Sequence, residues 1–142
     1  MVAAVRRVVL GCWEVALAVV TLSAVEVLLR TRDLPAICRV LGIGYDPADP
    51  HPAGDRARLP RRARRALRAA SLVTPRWPGS DTCLRRCLLL GHRLRALDPA
   101  LRIGVRRDPH GGLAVHSWLE FDGRSLDPTA HRYAPLGALG SE

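Results

Sequence analysis

Residues 80–99 have the sequence SDTCLRRCLLLGHRLRALDP, and this stretch decides the fold. Residues 80–82, a Ser, an Asp and a Thr, are all competent helix N-caps, and Asp98-Pro99 ends the segment. The apolar spacing between them predicts an amphipathic helix of about 15 residues. Cys83 is therefore expected in the first turn, with Cys87 one turn further along the same face. The apolar positions are Leu84, Cys87, Leu88, Leu90, Leu94 and Leu97.

Downstream of this helix the pattern changes to that of β-strands. Apolar residues alternate over 101–105, and residues 113–121 form a second extended stretch after a turn at Gly111-Gly112. Asp122-Gly123 is a strong signal for a tight hairpin turn into a short returning strand at 124–126. This order of elements predicts an α+β domain, in which the cysteine-bearing helix packs on a small antiparallel sheet.

Three helices are predicted upstream of residue 80. The first covers about residues 5–30, a short second one is capped by Asp33 and ended by Gly42, and the third covers 59–73. Residues 44–55, between the second and third helices, are rich in Pro, Gly and Asp, as linkers and exposed loops are. We therefore expect a hydrophobic helical N-terminal region at 1–43, a linker or loop at 44–58 and a core domain at 59–142.

The first helix resembles a membrane span or a signal peptide only superficially. Glu14 and Glu26 interrupt its apolar stretch, and the longest charge-free run, 15–25, has 11 residues. A span needs about 20 predominantly apolar residues, and no small-residue cleavage site follows the run. We expect a buried helix that packs against the domain or its partner, with peripheral membrane contact as the alternative.

The composition indicates one folded and strongly basic domain. The chain has 142 residues, 48% of them hydrophobic, which is enough to bury a single core. The formal net charge is +9, and all 22 basic residues are Arg. Such a charge favours acidic partners, whether nucleic acid, anionic membrane or acidic peptide.

Seven of these arginines lie between Arg56 and Arg68, around the predicted third helix. They form either a binding face for phosphates or acidic peptides, or simply a solvated helix surface. No aromatic residue is interleaved with them, so stacked bases would have no platform. We expect no nucleic-acid partner.

The cysteines indicate core packing or chemistry rather than a disulfide scaffold. Four Cys in 142 residues are too few for a secreted disulfide-rich fold, so we expect a reducing, cytoplasmic setting. A thiol in the first turn of a helix faces the positive end of the helix dipole, which favours the thiolate. Cys83 is therefore the predicted nucleophile, whereas Cys87, one turn deeper among leucines, is predicted to be a buried apolar residue.

A cysteine nucleophile needs a histidine base and a group that orients the histidine. With a two-residue loop at Asp122-Gly123, Trp118 opposes Asp127 and His116 opposes Thr129. His116 and Asp127 then share one face of the hairpin, diagonally within side-chain reach. Asp122 is the rival orienting group, although Asp favours that turn position for structural reasons alone.

A metal site is the alternative use of these residues. Cys83 and Cys87 with His92 or His116 lack a recognised paired ligand spacing, so we expect neither a metal nor a cofactor. Trp77 or Trp118 is expected to form a wall of the site.

Three segments together resemble one protein family. They are 83–88 (CLRRCL), 101–106 (LRIGVR) and 115–123 (VHSWLEFDG). These segments are similar to those of the leader peptidases of lasso-peptide biosynthesis, the B proteins of the transglutaminase-like superfamily. The similarity is strong over about residues 60–136, and the hydrophobic N-terminus resembles the helical front end of the family.

The resemblance implies a transglutaminase-like (papain-like) cysteine protease core. Within it Cys83 is the nucleophile, His116 the general base and acid, and Asp127 the orienting carboxylate. The implied function is to remove the leader from a ribosomally made lasso-peptide precursor, so that an asparagine-synthetase-like cyclase can use the new N-terminus. Fused family members carry a leader-recognition domain, for which 142 residues leave no room. A separate small recognition protein is therefore the implied partner.

Two positions depart from the family pattern. Position 87 is Cys where Ser is common, which leaves a second thiol near the site. Position 117 is Ser, whereas the family pattern His-Ala-Trp has Ala at this position, and a packed strand tolerates this change.

Three other functions stay open. They are a transglutaminase-like acyltransferase, an Arg-rich nucleic-acid-binding module and a Cys/His metal site.

Overall fold

The structure is a computed structural model that describes residues 1–49, 55–79 and 82–136. The described residues form four α-helices and five short or medium strands, and four of the strands follow the last helix. There are 3₁₀ turns at Thr74–Arg76, Arg95–Leu97 and Ala130–Arg132. The helices are α1 (Val2–Thr31), α2 (Leu34–Leu41), α3 (Ala63–Val73) and α4 (Thr82–Arg93). The strands are β1 (Gly44–Tyr45), β2 (Ala100–Arg107), β3 (Leu113–Phe121), β4 (Arg124–Ser125) and β5 (Ala134–Pro135). The α+β class predicted from the sequence is confirmed.

The sheet is mixed rather than purely antiparallel. β2 pairs antiparallel with β3 along its whole length, and β3 pairs antiparallel with β4. β1 pairs with the beginning of β2 in the parallel direction, and β5 pairs with β2 nearer its end. The expectation of an antiparallel sheet misses β1, because that strand has only two residues and its partner lies more than fifty residues away. Gly44–Tyr45, at the start of the expected linker, thus belongs to the sheet.

The Asp122-Gly123 turn has the conformation that the sequence predicts. Asp122 has φ 50° and Gly123 has φ 70°, the two positive values of a tight hairpin turn. Phe121 pairs with Arg124, so the loop has two residues. The register continues as far as the Leu126 N–H, which donates to Leu119 O.

The chain leaves the hairpin register immediately after Leu126. The Asp127 carboxylate accepts hydrogen bonds from Thr129, and Ala130 N–H donates to Asp127 O, so the segment turns. The predicted strand pairs of Trp118 with Asp127 and of His116 with Thr129 are therefore not formed. Pro128, which has no N–H, could not have continued the ladder.

The helix boundaries follow local signals. The Asp33 carboxylate accepts from Ala36 N–H at 2.9 Å, and Gly42 ends α2 with φ 74°. α3 begins at Ala63 rather than at residue 59, after a turn in which Ala63 N–H donates to Pro60 O. α4 ends at Arg93, earlier than Asp98-Pro99, because a 3₁₀ turn takes up residues 95–97.

α4 occupies the centre of the core. Leu88, Leu89 and Leu90 are all buried, although three consecutive residues of a helix point in different directions. α4 contacts α1, α2 and α3 as well as β2 and β3. The helix thus packs on the sheet, as predicted, and the other helices cover its remaining sides.

The two ends of α1 have different environments. Ala18, Leu22 and Val25 are buried in the core, whereas Val8 and Trp13 are more than 60% exposed. An 18-residue window within Ala4–Thr31 has a mean hydropathy of 2.1, so by length and composition the helix could cross a bilayer. The expected packing against the domain is therefore found for the C-terminal half of α1.

Two ion pairs fasten α1 to α4. Glu14 accepts from Arg93 at 2.7 Å, and Glu26 accepts from Arg85 and, at 3.2 Å, from Trp77 Nε1. The hydrogen bond from Arg85 lowers the pKa of Glu26 against the opposing effect of burial. Both acidic residues that interrupt the apolar run thus have partners on the domain.

Candidate active site

Cys83 lies in the first turn of α4, and its side chain is half-buried. The first turn of a helix is the positive end of the helix dipole, so Cys83 lies where developing negative charge is favoured. Ser80 and Asp81, two of the three candidate caps, lie outside the described residues, and the third, Thr82, is the first residue of the helix.

Cys87 lies on the same helix but has a different environment. It is buried, and burial raises the pKa of its thiol to about 12, although the adjacent Ser117 hydroxyl acts in the opposite direction. A thiol with this pKa stays protonated at neutral pH and is a poor nucleophile. The environment of Cys87 is the one expected of a buried apolar residue.

His116 and Asp127 are in direct contact. His116 Nε2 lies 2.5 Å from Asp127 Oδ2, and the other carboxylate oxygen accepts from Thr129 N–H and Oγ1 at 2.7 and 2.8 Å. Burial alone would raise the pKa of Asp127, but the hydrogen bonds from His116 and Thr129 outweigh it and hold the pKa below its ordinary value. The carboxylate is therefore ionised at neutral pH, and it accepts a hydrogen bond from the His116 Nε2–H.

This contact determines which imidazole nitrogen can act as a base. Because Nε2–H donates its hydrogen bond to Asp127, the lone pair of a neutral His116 is on Nδ1. Nδ1 is therefore the atom that can accept a proton from a thiol or from water.

Two aromatic rings pack against the His116 imidazole. The Tyr133 ring centroid lies 4.8 Å from that of His116, and the Trp118 centroid lies 6.3 Å away. Trp118 Nε1 donates to the buried Glu120 at 3.1 Å, and Glu120 in turn accepts from Arg102 at 3.0 Å. Packing and hydrogen bonds together restrict the imidazole to one orientation.

Gly104 allows this arrangement by leaving room for the Trp118 ring. A Cβ at position 104 would lie 2.8 Å from the indole and 2.8 Å from Ala134 O. Any side chain there would displace either Trp118 or β5.

Cys83, His116 and Asp127 all line one cavity of about 430 Å³. Trp118 also lines it, as expected, but Trp77 does not, because its indole instead donates to Glu26 on α1. The lining is otherwise largely apolar, with one cationic side chain and two hydroxyls. These further lining residues are Thr74, Pro75, Arg86, Cys87, Leu90, Ser117, Leu119, Leu126 and Pro128.

Sequence reasoning missed three residues of this region. Thr74 and Ser117 are buried, and within the described part of the chain their hydroxyls have no partner of good hydrogen-bond geometry. Tyr133 reaches His116 from beyond the hairpin. Ser117 has a sequence signal, its departure from the His-Ala-Trp pattern, whereas Thr74 and Tyr133 have none.

The rival residues lie elsewhere. Asp122 is exposed in the hairpin turn, and the Asp contact of His116 is made by Asp127. His92 does not line the cavity, since its Nδ1 lies 3.1 Å from Leu41 O.

Across residues 1–49, 55–79 and 82–136, no cluster of His, Cys, Asp or Glu could hold a metal ion. The α3 arginines are exposed, opposite a face of buried alanines.

The arrangement is suited to nucleophilic chemistry at a carbonyl group. It combines a thiol at a helix N-terminus, an imidazole that is hydrogen-bonded through Nε2, and a carboxylate that accepts this hydrogen bond and orients the imidazole. The cavity gives a substrate access to all three groups.

Comparisons with known proteins identify the family. The sequence profile described as the transglutaminase-like superfamily, Transglut_core3, matches residues 18–138. No curated protein and no solved structure matches the chain.

The contact between His116 and Asp127 predicts a pH dependence of stability. Because the pKa of Asp127 is lowered from 3.8, its contribution is fully present above that pH and is lost as the pH falls through the folded-state value. We expect the difference in unfolding free energy between wild type and Asp127→Asn to shrink below about pH 4. Urea titrations of both proteins at pH values between 7 and 2.5 measure this difference in unfolding free energy. Asp122→Asn makes the same charge change in the turn, and an identical pH dependence in that variant would contradict the assignment.

Proposed function

This chain belongs to the transglutaminase-like superfamily, and we propose that it is a thiol-dependent peptidase with Cys83, His116 and Asp127 as its catalytic triad. Membership indicates a cysteine-protease or acyltransferase enzyme. The observation that carries the more specific proposal is the cavity, since one space is lined by a helix-N-terminal thiol and by an imidazole whose Nε2 is held by a carboxylate.

The first half of the proposed reaction forms an acyl-enzyme. His116 Nδ1 takes the Cys83 proton, and the sulfur bonds to the scissile carbonyl carbon while the π electron pair moves to oxygen. Collapse of this tetrahedral intermediate breaks the C–N bond, and the protonated His116 donates its proton to the leaving amine. The Cys83 N–H is suited to stabilise the oxyanion, since it lies in the first helical turn.

The second half restores the enzyme. His116 Nδ1 takes a proton from water, the hydroxide oxygen bonds to the thioester carbon, and the C–S bond breaks. Sulfur regains a proton, and the acyl group leaves as a carboxylic acid. Asp127 stabilises the imidazolium in both halves without taking its proton.

We further propose that the substrate is the precursor of a lasso peptide, cut between leader and core. The support is the resemblance of segments 83–88, 101–106 and 115–123 to lasso-peptide leader peptidases. The same resemblance supports a separate small leader-recognition protein and an amide-forming cyclase as partners. Efficient, sequence-selective cleavage by the purified chain alone would contradict the need for the recognition protein.

For localisation, we propose that the protein is cytoplasmic and that α1 stays packed on the domain, with peripheral membrane contact at most. Crossing a bilayer would expose the surfaces covered by Leu22 and Val25 and break the ion pairs of Glu14 and Glu26 with α4. We expect alkaline carbonate to release the full chain from membranes. Carbonate-resistant integration would contradict this proposal.

The two cavity thiols give a direct test of the nucleophile. Cys83→Ala is expected to abolish cleavage of the precursor, whereas Cys87→Ala should keep most of it, because the Cys87 thiol is buried and protonated. Single-turnover cleavage by both variants, followed by mass spectrometry, measures this effect.

Mass spectrometry also separates hydrolysis from acyl transfer, which gives an amide with an added amine instead of a new carboxylate. Loss of activity in Cys87→Ala but not in Cys83→Ala would overturn the assignment of the nucleophile.

A further inference from the structure

One edge of strand β3 is free over most of its length. One side of β3 pairs with β2, whereas the other side pairs with β4 only at Glu120 and Phe121. The last backbone hydrogen bond on that side runs from Leu126 N–H to Leu119 O at 2.8 Å. Within the described part of the chain, the backbone of residues 113–118 therefore has no strand partner on this side.

The register determines which backbone groups point out of this free edge. In an antiparallel pair, alternate residues direct their N–H and C=O groups to the same neighbouring strand. Leu119 directs its C=O to the β4 side, so Val115 and Leu113, which are in step with it, direct both groups to that side as well. Gly112 O accepts from Asp108 N–H on the β2 side, which agrees with this alternation.

The packing of α4 on β3 relates this edge to the nucleophile. Cys87 lies beside Ser117. One turn further along α4, a Cβ on Gly91 would lie 3.5 Å from Leu119, which is two residues further along β3. The helix and the strand thus run in the same general direction, since one helical turn and two strand residues each advance about 5–7 Å. Cys83, one turn before Cys87, is therefore level with the strand two residues before Ser117.

Val115 and Leu113 lie where β3 extends past the beginning of the helix. They are 64% and 70% exposed, whereas Ser117 is buried. Val105 pairs with Val115, shares its face of the sheet and is half-buried. Exposed strand edges usually carry charged residues or proline, which prevent pairing with another chain. Residues 113–118 contain no Asp, Glu, Lys, Arg or Pro, so this edge can accept a further strand.

The free edge is continuous with the catalytic cavity. Residues 116–119 line the cavity from β3, and residues 126–128 line it from beyond the free side of that strand. A peptide chain that leaves the cavity along β3 meets Val115 first and Leu113 next.

We propose that the substrate peptide continues from the cavity as an added strand on the free edge of β3. Its backbone pairs with the outward N–H and C=O groups of Val115 and Leu113, and its alternate side chains pack against these two residues and Val105. The inference rests on the proposed function. It gives the substrate class as an extended peptide with apolar residues at alternate positions beside the scissile bond. A helical segment could not use this edge, because its N–H and C=O groups are already paired within the helix.

Amide hydrogen exchange measured by NMR tests the pairing residue by residue. The probe is acetyl-Glu-Val-Thr-Val-Thr-Val-Glu-amide, and the protein is the full chain with Cys83→Ala, so that the peptide stays intact. We expect the N–H groups of Val115 and Leu113 to exchange roughly 10-fold more slowly at saturating peptide than in the free protein. The N–H groups of Ala114 and His116 point to β2 and should be equally protected in both states.

Two N-methylated forms of the probe report how the added strand is paired. In an antiparallel pair, the valines opposite Val115 and Leu113 donate to β3, so methylation of the valine nitrogens abolishes binding and methylation of the threonine nitrogens does not. In a parallel pair the two results are exchanged. Equal affinity of the two methylated forms would contradict strand pairing.

Matched Val→Thr variants test whether this surface serves the substrate. Val115→Thr keeps the backbone and adds a hydroxyl where the peptide side chains pack, so we expect a roughly 5-fold higher KM for precursor cleavage with unchanged kcat. Alkylation of Cys83 by iodoacetamide should proceed at the wild-type rate. Val40→Thr makes the same change on α2, at a residue that is 59% exposed, and should keep the wild-type KM.

Unchanged exchange at Val115 and Leu113 with millimolar peptide would overturn the inference, and so would the same KM in Val115→Thr and Val40→Thr. Protection of both amides in the free protein, together with a dimeric mass in sedimentation, would also overturn it, because a second copy of the chain would then occupy the edge. Failure of the proposed function gives a different result: Cys83→Ala would cleave the precursor as well as wild type does, whereas the exchange pattern does not depend on cleavage.

Discussion

The burial of α4 is the constraint on which the rest of the structure depends. Leu88, Leu89 and Leu90 point in different directions and are all buried, so other elements must cover the helix on several sides. Each fully buried Leu contributes about 1.5–3 kcal/mol, whereas an exposed ion pair contributes about 0–1 kcal/mol. Rotating α4 about its axis would expose these leucines. The packing of the core therefore determines the direction in which the Cys83 side chain points from the first turn.

The features that the sequence predicts are those with local causes. The Asp33 cap, the Gly42 helix end and the Asp122-Gly123 turn depend on residues within one turn of the chain. The placement of His116 beside Asp127 follows from the short hairpin, although the side chains meet beyond the last ladder pair rather than across it. The family resemblance supplied the roles of these residues, which local patterns alone leave open.

The features that the sequence does not predict depend on distant partners. The parallel pairing of β1 with β2, the approach of Tyr133 to His116 and the burial of Thr74 all join segments far apart in the chain. Periodicity reports which face of an element is apolar but not which element covers it. For the same reason, the sequence does not reveal that only the C-terminal half of α1 is covered.

Polar groups around the site differ in whether they are satisfied. Trp118, Glu120 and Arg102 form a continuous hydrogen-bonded series behind the imidazole, and Asp49 extends it at 2.6 Å from Arg102. Such a series stabilises one geometry of its members. The buried hydroxyls of Thr74 and Ser117, by contrast, have no partner of good hydrogen-bond geometry among the described residues. The satisfied series therefore supports one orientation of the imidazole.

The central claim is that the Asp127 carboxylate orients His116 for chemistry at Cys83. Single-turnover cleavage of the precursor by Asp127→Asn, beside Asp122→Asn and with a thermal melt of each, tests it most directly. An amide at position 127 supports the wrong tautomer and supplies no charge, so the account predicts a loss on the order of 10²-fold or more with the fold retained, and little change for Asp122→Asn. Wild-type turnover by Asp127→Asn, or a loss confined to Asp122→Asn, would contradict it.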